Sequence, residues 1–390
     1  MMKSFRHFSP AMRIHQGADC LDALEGELAR CGSERAVVFC GSTLARPGSP
    51  VDLVRQAMGS RLAEVYAGVR ADSPLPVVQA AVAALRQMKA DAIVAVGGGS
   101  AVTMARAVNI LLAETGDVHD LCTQRDASGR LHSPKLLAPK LPIIAIPTTP
   151  TTATVKAGSA VLDTDAGKRL ALYDPKARAQ AVFIHPALVQ SASRSLVVSA
   201  ALNTLALALE GLMSKRGDPM SDAMLIHATR LLVSGLPRAS MEDDLDVRAD
   251  LMIASILCGH GSDYTGAGMA IPVGHAISTQ FDVDMGRSDA IMLPHVVRFN
   301  AEAAAPGIRK IALAIDVRAE AAEAPEQAVV QALETLFTSL GLPRRLRDVG
   351  VPQEALSKLA TISFDDWYLQ SNPRPIADVA ELQRVLEEAW

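Results

Sequence analysis

Between about residues 34 and 186, short apolar runs alternate with amphipathic segments of helical length, and this alternation restricts the possible fold more than any other feature. Helical spacing covers residues 51–58 and 76–88. Strands separated by helices pair in parallel, because each crossover returns the chain to the same end of the sheet. We therefore expect an α/β domain built on a parallel sheet. The predicted strands, each followed within two residues by glycine or proline, cover residues 35–40, 92–96, 142–146 and 181–184.

The strand pattern stops near residue 190, and the remaining sequence is typical of helices rich in alanine and leucine. We expect residues 1–190 to form the α/β domain and residues 191–390 to form an all-helical domain. An alanine- and glutamate-rich run at residues 318–325 is typical of a solvated loop or a helix edge. Four pairs of glycine and proline predict helix breaks, at residues 217–219, 235–237, 341–343 and 350–352.

Several features bear on where such a chain resides and what it contacts. Residues 196–213 are apolar enough to raise the question of a membrane span, but they include Asn203 and Glu210, which favours a buried core helix. Residues 1–10 lack the apolar core of a signal peptide. The five cysteines are odd in number and form no CxxC pair, so we expect neither a disulfide framework nor a thiolate zinc site. We expect a cytoplasmic protein without a membrane partner.

The charge balance argues against a nucleic-acid partner. Lysine and arginine total 38 against 42 aspartates and glutamates, which gives a net charge of −4. A nucleic-acid-binding domain usually carries an excess of basic residues on one face. We expect the partner to be a small-molecule substrate.

A glycine turn follows the second predicted strand. Gly97, Gly98, Gly99 and Ser100 stand between that strand and a helical pattern, with Ser100 expected as the helix N-cap. Glycines let backbone N–H groups approach a pyrophosphate closely, and a helix N-terminus presents unpaired N–H groups to an anion. The turn is not a GxGxxG motif, and a plain tight turn is the alternative. The order of strand, glycines and helix favours phosphate binding.

A threonine turn follows the third predicted strand. Thr148, Thr149 and Thr152 belong to a run of five threonines within residues 148–154. Hydroxyl groups at the carboxyl edge of a parallel sheet can donate to phosphate and ribose, because ligands of α/β folds collect there. A cluster of turn and capping residues is the alternative. Two strand ends that face one crevice favour a nucleotide.

These residues resemble those of the iron-containing (group III) alcohol dehydrogenase family over nearly the whole chain, with maleylacetate reductases as the nearest-looking branch. The resemblance implies a dehydroquinate synthase-like architecture, a nicotinamide cofactor (NAD or NADP) between an α/β and an all-α domain, and a homodimer. Its cofactor residues here would be Gly41 and Ser42 at the end of the first strand, the glycine and threonine turns, and Lys168. The matching segments are GGGS at residues 97–100, PTT at 147–149, Lys168, LPHVVRFN at 293–300 and NPRP at 372–375.

The positions at which the family carries its metal ligands hold unsuitable residues in this chain. An ungapped count places Asn203, Leu207, Ile271 and Met285 there. Iron and zinc need three or four nitrogen, oxygen or thiolate ligands, which this set cannot supply. We therefore expect no metal. The family histidine between the last two ligand positions is retained as His275, for which the resemblance implies proton relay and a core or cap histidine is the alternative.

The cofactor loops also depart from the family pattern. Two polar residues that follow the glycine turn in the family are Thr103 and Arg106 here. The first strand ends without the acidic residue that binds the ribose 2′-hydroxyl of NAD, so a 2′-phosphate would not be repelled. Ser42 or Arg46 is available to bind it. The choice between NAD and NADP stays open.

The first functional hypothesis is a metal-independent NAD(P)-dependent oxidoreductase, of the alcohol dehydrogenase or carbonyl reductase type, acting on a small and possibly carboxylated carbonyl compound. His275 would donate the proton, while Asn203 and a cation such as Lys168 or Arg287 would hold the oxyanion or a substrate carboxylate. A non-redox isomerase or lyase that reuses the same cleft is the second hypothesis. A catalytically silent homologue is the third, and the intact glycine turn argues against it.

Overall fold

The computed structural model describes residues 4–127, 129–317 and 324–390. They form two compact units, one of Pro10–Ala192 and one that joins residues 4–9 to Ser193–Trp390. Most of the alanine- and glutamate-rich run at residues 318–325, for which a solvated loop or helix edge is predicted, lies outside the described residues.

The first unit is built on a six-stranded parallel sheet with the strand order β1-β10-β7-β4-β2-β3. Two small antiparallel pairs, β5-β6 and β8-β9, lie outside it. In chain order the strands are β1 (Arg13–Gln16), β2 (Ala36–Phe39), β3 (Leu62–Tyr66), β4 (Ala92–Gly97), β5 (Gln124–Arg125), β6 (Leu131–His132), β7 (Ile143–Pro147), β8 (Gly158–Asp163), β9 (Lys168–Tyr173) and β10 (Ala179–Ile184).

Helices cover the sheet, and both β2 and β4 are buried along their whole length. Burial on both faces explains why these strands are continuous apolar runs rather than alternating ones. On one face, α1 and α2 pack in a core with Val38, Val94 and Ile144, while α4 contacts β4 and β7. The helices of this unit are α1 (Leu24–Arg30), α2 (Val51–Met58), α3 (Leu75–Met88), α4 (Gly99–Ala113), α5 (Val118–Leu121) and α6 (Pro186–Gln190).

The strand order places a topological switch point between β2 and β4. From β2 the chain crosses to β3 on one side, and from β3 it returns to β4 on the other side and continues to β7 and β10. The loops that leave β2 and β4 therefore diverge, which opens a crevice at the carboxyl ends of the strands.

The second unit is helical throughout its described residues. Aspartates or serine cap several of its helices, as Ser193 does for α7 and Asp218 for α8. The helices are α7 (Arg194–Met213), α8 (Pro219–Met241), α9 (Leu245–Thr265), α10 (Ala270–Gln280), α11 (Met285–Asn300), α12 (Ala305–Ala314), α13 (Pro325–Ser339), α14 (Leu356–Phe364) and α15 (Val379–Ala389).

The sheet and the helical unit confirm the expected fold class. α7 is the one helix of the described residues that is long and apolar enough to cross a membrane, and 72% of its most apolar window is buried inside the protein. The four predicted strands are observed with shifts of one or two residues at their ends. The sequence did not predict β1, β3 or the β8-β9 pair.

Two expectations differ from the structure. The break predicted at residues 235–237 is absent, because α8 continues through Pro237 and packs closely on α9, where a Cβ at Gly235 would lie 3.0 Å from Leu251 Cδ2. The first described residues group with the helical unit rather than with the sheet. There His7 contacts Asp218 and its ring lies 4.9 Å from that of Tyr264.

Candidate functional site

The carboxyl ends of β2, β4 and β7 lie side by side, so the glycine turn and the threonine turn are neighbours. Gly97 pairs with Pro147 in the sheet, and the Thr148 N–H donates to the Gly97 carbonyl at 3.0 Å. Thr148 and Thr149 are buried against the glycine turn. The two turns therefore form one continuous wall.

Close packing accounts for the three glycines. Gly97 has a φ of 144°, which disfavours any residue with a side chain. A Cβ at Gly98 would lie 3.1 Å from the Thr149 hydroxyl, and one at Gly99 would lie 2.9 Å from the Thr151 hydroxyl. Gly98, rather than the predicted Ser100, is the N-cap of α4, and no side chain caps the helix there. The first N–H groups of α4 are thus available to an anion.

A cavity of about 340 Å³ opens beside this turn, at the switch point of the sheet. Of the predicted cofactor residues, five line the cavity: Gly41, Ser42, Gly97, Gly98 and Ser100. Gly99, Thr148, Thr149 and Thr152 do not line it. It also includes Arg70, which the sequence analysis missed, and it does not include Arg46. The lining residues are Gly41, Ser42, Thr43, Leu44, Val69, Arg70, Ala71, Val96, Gly97, Gly98, Ser100 and Ala101.

The threonine turn has a structural role in this arrangement. Thr152 begins a single turn of 3-10 helix, and the Thr154 hydroxyl donates to the Thr151 carbonyl at 3.0 Å. The guanidinium of Arg106 is buried and donates to the carbonyls of Ala153 and Gly158. These contacts support the alternative of a turn and capping cluster for this part of the run.

Neither of the two cations proposed from the sequence is among the residues that line the cavity. Lys168 is exposed at the first position of β9, directly after the turn of the β8-β9 hairpin, and does not line the cavity. Arg287 belongs to the helical unit, where it is exposed and pairs with Asp284 at 3.2 Å.

In the helical unit, the positions that correspond to the family's metal ligands lie on three helices that contact one another, α7, α10 and α11. Asn203 of α7 donates from Nδ2 to Asp289 Oδ2 of α11 at 2.7 Å. Asp289 is fully buried and approaches α10 so closely that a Cβ at Gly274 would overlap its Oδ1 atom. A hydrogen bond and close packing thus join the three helices.

Asp289 and Glu210 share this buried region. Burial raises the pKa of Asp289 well above its usual value despite the hydrogen bond from Asn203, and the charge of Glu210 raises it further. Burial also raises the pKa of Glu210 to about 7, although Glu210 accepts hydrogen bonds from the N–H groups of Gly268 at 2.8 Å and Ala270 at 2.6 Å. Burial in this region therefore favours the protonated form of the Asp289 carboxyl.

These residues do not fit iron or zinc. Leu207 and Ile271 are buried hydrocarbon side chains, Met285 offers only a thioether, and Asn203 offers only a neutral amide oxygen, which is a poor ligand for iron or zinc. Within the described part of the chain, no three histidine, cysteine, aspartate or glutamate side chains are grouped so that they could hold a metal ion.

His275 lies on α10 and contacts a carboxylate from the far end of the chain. Its Nδ1 atom is 2.7 Å from Asp366 Oδ2, and the other Asp366 oxygen accepts from the Tyr368 N–H at 2.9 Å. A carboxylate only accepts, so Nδ1 carries a proton and Nε2 remains for a second partner. The rings of Trp367 and Tyr368 lie 5.8 and 6.1 Å from the imidazole.

A glycine turn that precedes a helix at the switch point of a parallel sheet is typical of nucleotide-binding α/β enzymes. Residues 10–186 match the family described as iron-containing alcohol dehydrogenase, and residues 197–390 match its C-terminal part. The chain belongs to the iron-containing alcohol dehydrogenase family.

Relatives span the full length of the chain. It is 28% identical to lactaldehyde reductase of Escherichia coli over 96% of this chain and 97% of the relative. It is 27% identical to maleylacetate reductase 1 of Cupriavidus pinatubonensis over 100% of this chain and 98% of the relative. The match to the crystal structure of maleylacetate reductase from Agrobacterium tumefaciens covers 100% of this chain and 99% of that chain, with a TM-score of 0.79 and 21% identity.

The comparisons confirm the family, the fold and an enzyme of the alcohol dehydrogenase type. Maleylacetate reductase is among the relatives, as the resemblance implied, but the similar identities of 27% and 28% do not single out that branch.

Proposed function

We propose that this protein is a nicotinamide-dependent oxidoreductase that reduces a small carbonyl compound without the metal of its family. The observation that carries the proposal is a hydrogen bond to the buried Asp289 from Asn203, which occupies one of the positions where the family has metal ligands. The cavity beside the glycine turn supports nucleotide binding in the same chain.

Bound nicotinamide dinucleotide supplies the hydride in such a reaction. The protein must then stabilise and protonate the oxygen on which negative charge develops. His275, protonated on both ring nitrogens, donates the Nε2 proton to that oxygen. Its Nδ1 proton stays on the imidazole and remains hydrogen-bonded to Asp366 throughout. The carboxylate of Asp366 orients the imidazole, because His275 Nδ1 and Asp366 Oδ2 lie 2.7 Å apart.

Asn203 provides a neutral hydrogen-bond donor for the same oxygen. One of its amide hydrogens is used by Asp289, and the half-buried amide keeps a second hydrogen for another acceptor. Asp289 fixes the orientation of that amide. Lys168, the cation proposed for a substrate carboxylate, is exposed on its hairpin and keeps that role as a proposal that rests on the family resemblance.

The proposal includes a cytoplasmic homodimer. The five free cysteines are consistent with a reducing compartment. The dimer rests on the family resemblance, and light scattering of the purified protein tests it.

The test follows the oxidation of NADH or NADPH in the presence of short aldehydes, 2-oxo acids or 4-oxo acids as substrates. Each assay is made before and after treatment of the protein with a chelator. We expect turnover of at least one carbonyl class that the chelator leaves unchanged. Nucleotide binding without any oxidation would instead favour the isomerase or lyase hypothesis. Absence of nucleotide binding would favour the silent homologue.

A further inference from the structure

We propose that the cavity at the switch point binds the 2′-phosphate of NADP(H), and that Arg70 selects this cofactor over NAD(H). The inference rests on the proposed nucleotide site and specifies which nucleotide it takes. Arg70 follows β3 and lines the cavity together with Ser42, and in the sheet β2 lies between β3 and the strand that carries the glycine turn.

Backbone contacts fix the loop that carries Arg70 beside the end of β2. The Cys40 N–H donates to the Tyr66 carbonyl at 3.0 Å, and the Val69 N–H donates to the Cys40 carbonyl at 3.2 Å. Gly41 and Gly68 form an additional β-bridge. These backbone contacts therefore hold the main chain at Arg70 next to Gly41 and Ser42.

The charge of Arg70 is not neutralised by a neighbour. Its guanidinium donates to the Val69 carbonyl at 3.3 Å, and among the described residues it forms no ion pair within 4.0 Å. Asp72, two residues further on, instead lies 3.7 Å from Arg169. Arg70 is also the only charged residue in the cavity lining, all of which is described.

The direction of the bound nucleotide follows from the topology. A pyrophosphate on the N-terminus of α4 places the adenosine ribose toward the end of β2, on the opposite side of the switch point. An NAD-selective site offers a carboxylate to the ribose 2′-hydroxyl at that place, whereas this chain has Ser42. An arginine without a carboxylate partner, beside a serine, is instead suited to a phosphate dianion.

The experiment compares the dissociation constants of NADPH, NADH and 2′,5′-ADP for wild type, Arg70→Ala and Arg46→Ala, measured by fluorescence and calorimetry. Arg46 is an exposed arginine of the neighbouring loop outside the cavity and serves as the matched control. We expect wild type to bind NADPH at least about tenfold more tightly than NADH. Arg70→Ala should raise the dissociation constants of NADPH and 2′,5′-ADP by about 10- to 100-fold and change that of NADH by no more than about twofold. Arg46→Ala should change none of these constants.

Ser42→Asp provides a second and independent test, because a carboxylate at this position should repel the 2′-phosphate and accept from a 2′-hydroxyl. We expect it to reverse the preference toward NADH. If Arg70→Ala lowers the affinities for NADH and NADPH equally, the inference is overturned and Arg70 is assigned to the pyrophosphate. A wild type that prefers NADH would overturn it while leaving the proposed function intact, whereas binding of neither nucleotide would overturn the proposed function itself.

Discussion

His275 Nδ1 lies 2.7 Å from Asp366 Oδ2, and this contact joins α10 to the turn that follows α14. Both side chains are largely buried, with 13% and 7% of their surface exposed. A shielded carboxylate fixes both the tautomer and the orientation of an imidazole, because Nδ1–H has one direction in which to donate. The pair therefore presents Nε2 in a defined geometry.

We expect His275→Asn to lower turnover by about 100-fold or more, since positioned proton transfer contributes about 10² to 10⁴ in rate. Nucleotide affinity and thermal stability should stay near those of wild type. Steady-state kinetics on the best carbonyl substrate measures turnover, a nucleotide titration measures affinity, and thermal unfolding measures stability. His227→Asn, at an exposed histidine of α8, is the matched control. Full activity of the His275 variant would exclude the role, and a loss of stability by about 1 to 3 kcal/mol would assign it to packing.

Asp366 acts through His275, so its removal should affect turnover more than binding. We expect Asp366→Asn to lower kcat by at least about tenfold with little change in the KM for the nucleotide, because the amide can present a donor to Nδ1 and favour the wrong tautomer. Asp366→Glu should restore part of kcat. Equal activity of Asp366→Asn and wild type would show that His275 needs no orienting carboxylate.

The fold was predictable where burial leaves a local pattern. β2 and β4 are continuous apolar runs because both of their faces are covered. β3 escaped prediction because it is an edge strand with an exposed Glu64 at its centre and only half-buried neighbours. Missing β3 meant missing the loop after it, and with that loop Arg70.

In the candidate site, too, contiguous features could be predicted from the sequence, whereas contacts between distant residues could not. The glycine turn is a contiguous motif, so the sequence revealed it. The partners of Asn203 and His275 are 86 and 91 residues away along the chain, and only tertiary packing brings them together. The available signals were weak: Asp289 lies one helical turn after the ligand position at Met285, and Asp366 precedes an adjacent Trp and Tyr in a sequence poor in aromatic residues.

We expect the purified protein to contain iron and zinc well below one equivalent per chain, and a chelator to leave its melting temperature and activity unchanged. The reason is chemical, since Leu207 and Ile271 offer no ligand atom and Asn203 offers only a neutral amide oxygen. Elemental analysis measures the content. Near one equivalent of either metal that is lost in Asn203→Ala would refute the metal-free site.

Gly98→Asp should abolish nucleotide binding while preserving the fold. Aspartate is a favourable N-cap and interacts well with the helix dipole, which offsets the shift of a few tenths of an ångström that a Cβ 3.1 Å from the Thr149 hydroxyl requires. Its negative charge would occupy the place of the pyrophosphate, beside the Thr149 hydroxyl. Gly98→Ala separates the effect of size from that of charge, and Gly26→Asp, at an exposed glycine of α1, controls for the added charge. Unchanged NADPH and NADH affinity in Gly98→Asp would place the nucleotide elsewhere.

Asp289→Asn should leave the protein at least as stable as wild type at neutral pH. Burial raises the pKa of Asp289 in the folded state above its unfolded value, so the folded state holds a proton that the unfolded state releases. Its contribution to stability is therefore complete below the unfolded pKa and is lost as the pH rises toward the folded pKa. The pKa of Glu210 is also raised, to about 7, so Glu210 too contributes stability that is lost as the pH rises.

An amide at position 289 still accepts from Asn203 but cannot ionise, so the variant should lose less stability than wild type between about pH 5 and about pH 7. Urea denaturation at both pH values measures the difference. Asp289→Ala is the control, because it leaves the Asn203 amide without its acceptor and should cost about 1 to 3 kcal/mol at either pH. If Asp289→Asn instead destabilises the protein at neutral pH as much as Asp289→Ala does, Asp289 is ionised in the folded state and the Asn203 contact is a hydrogen bond to a charged carboxylate.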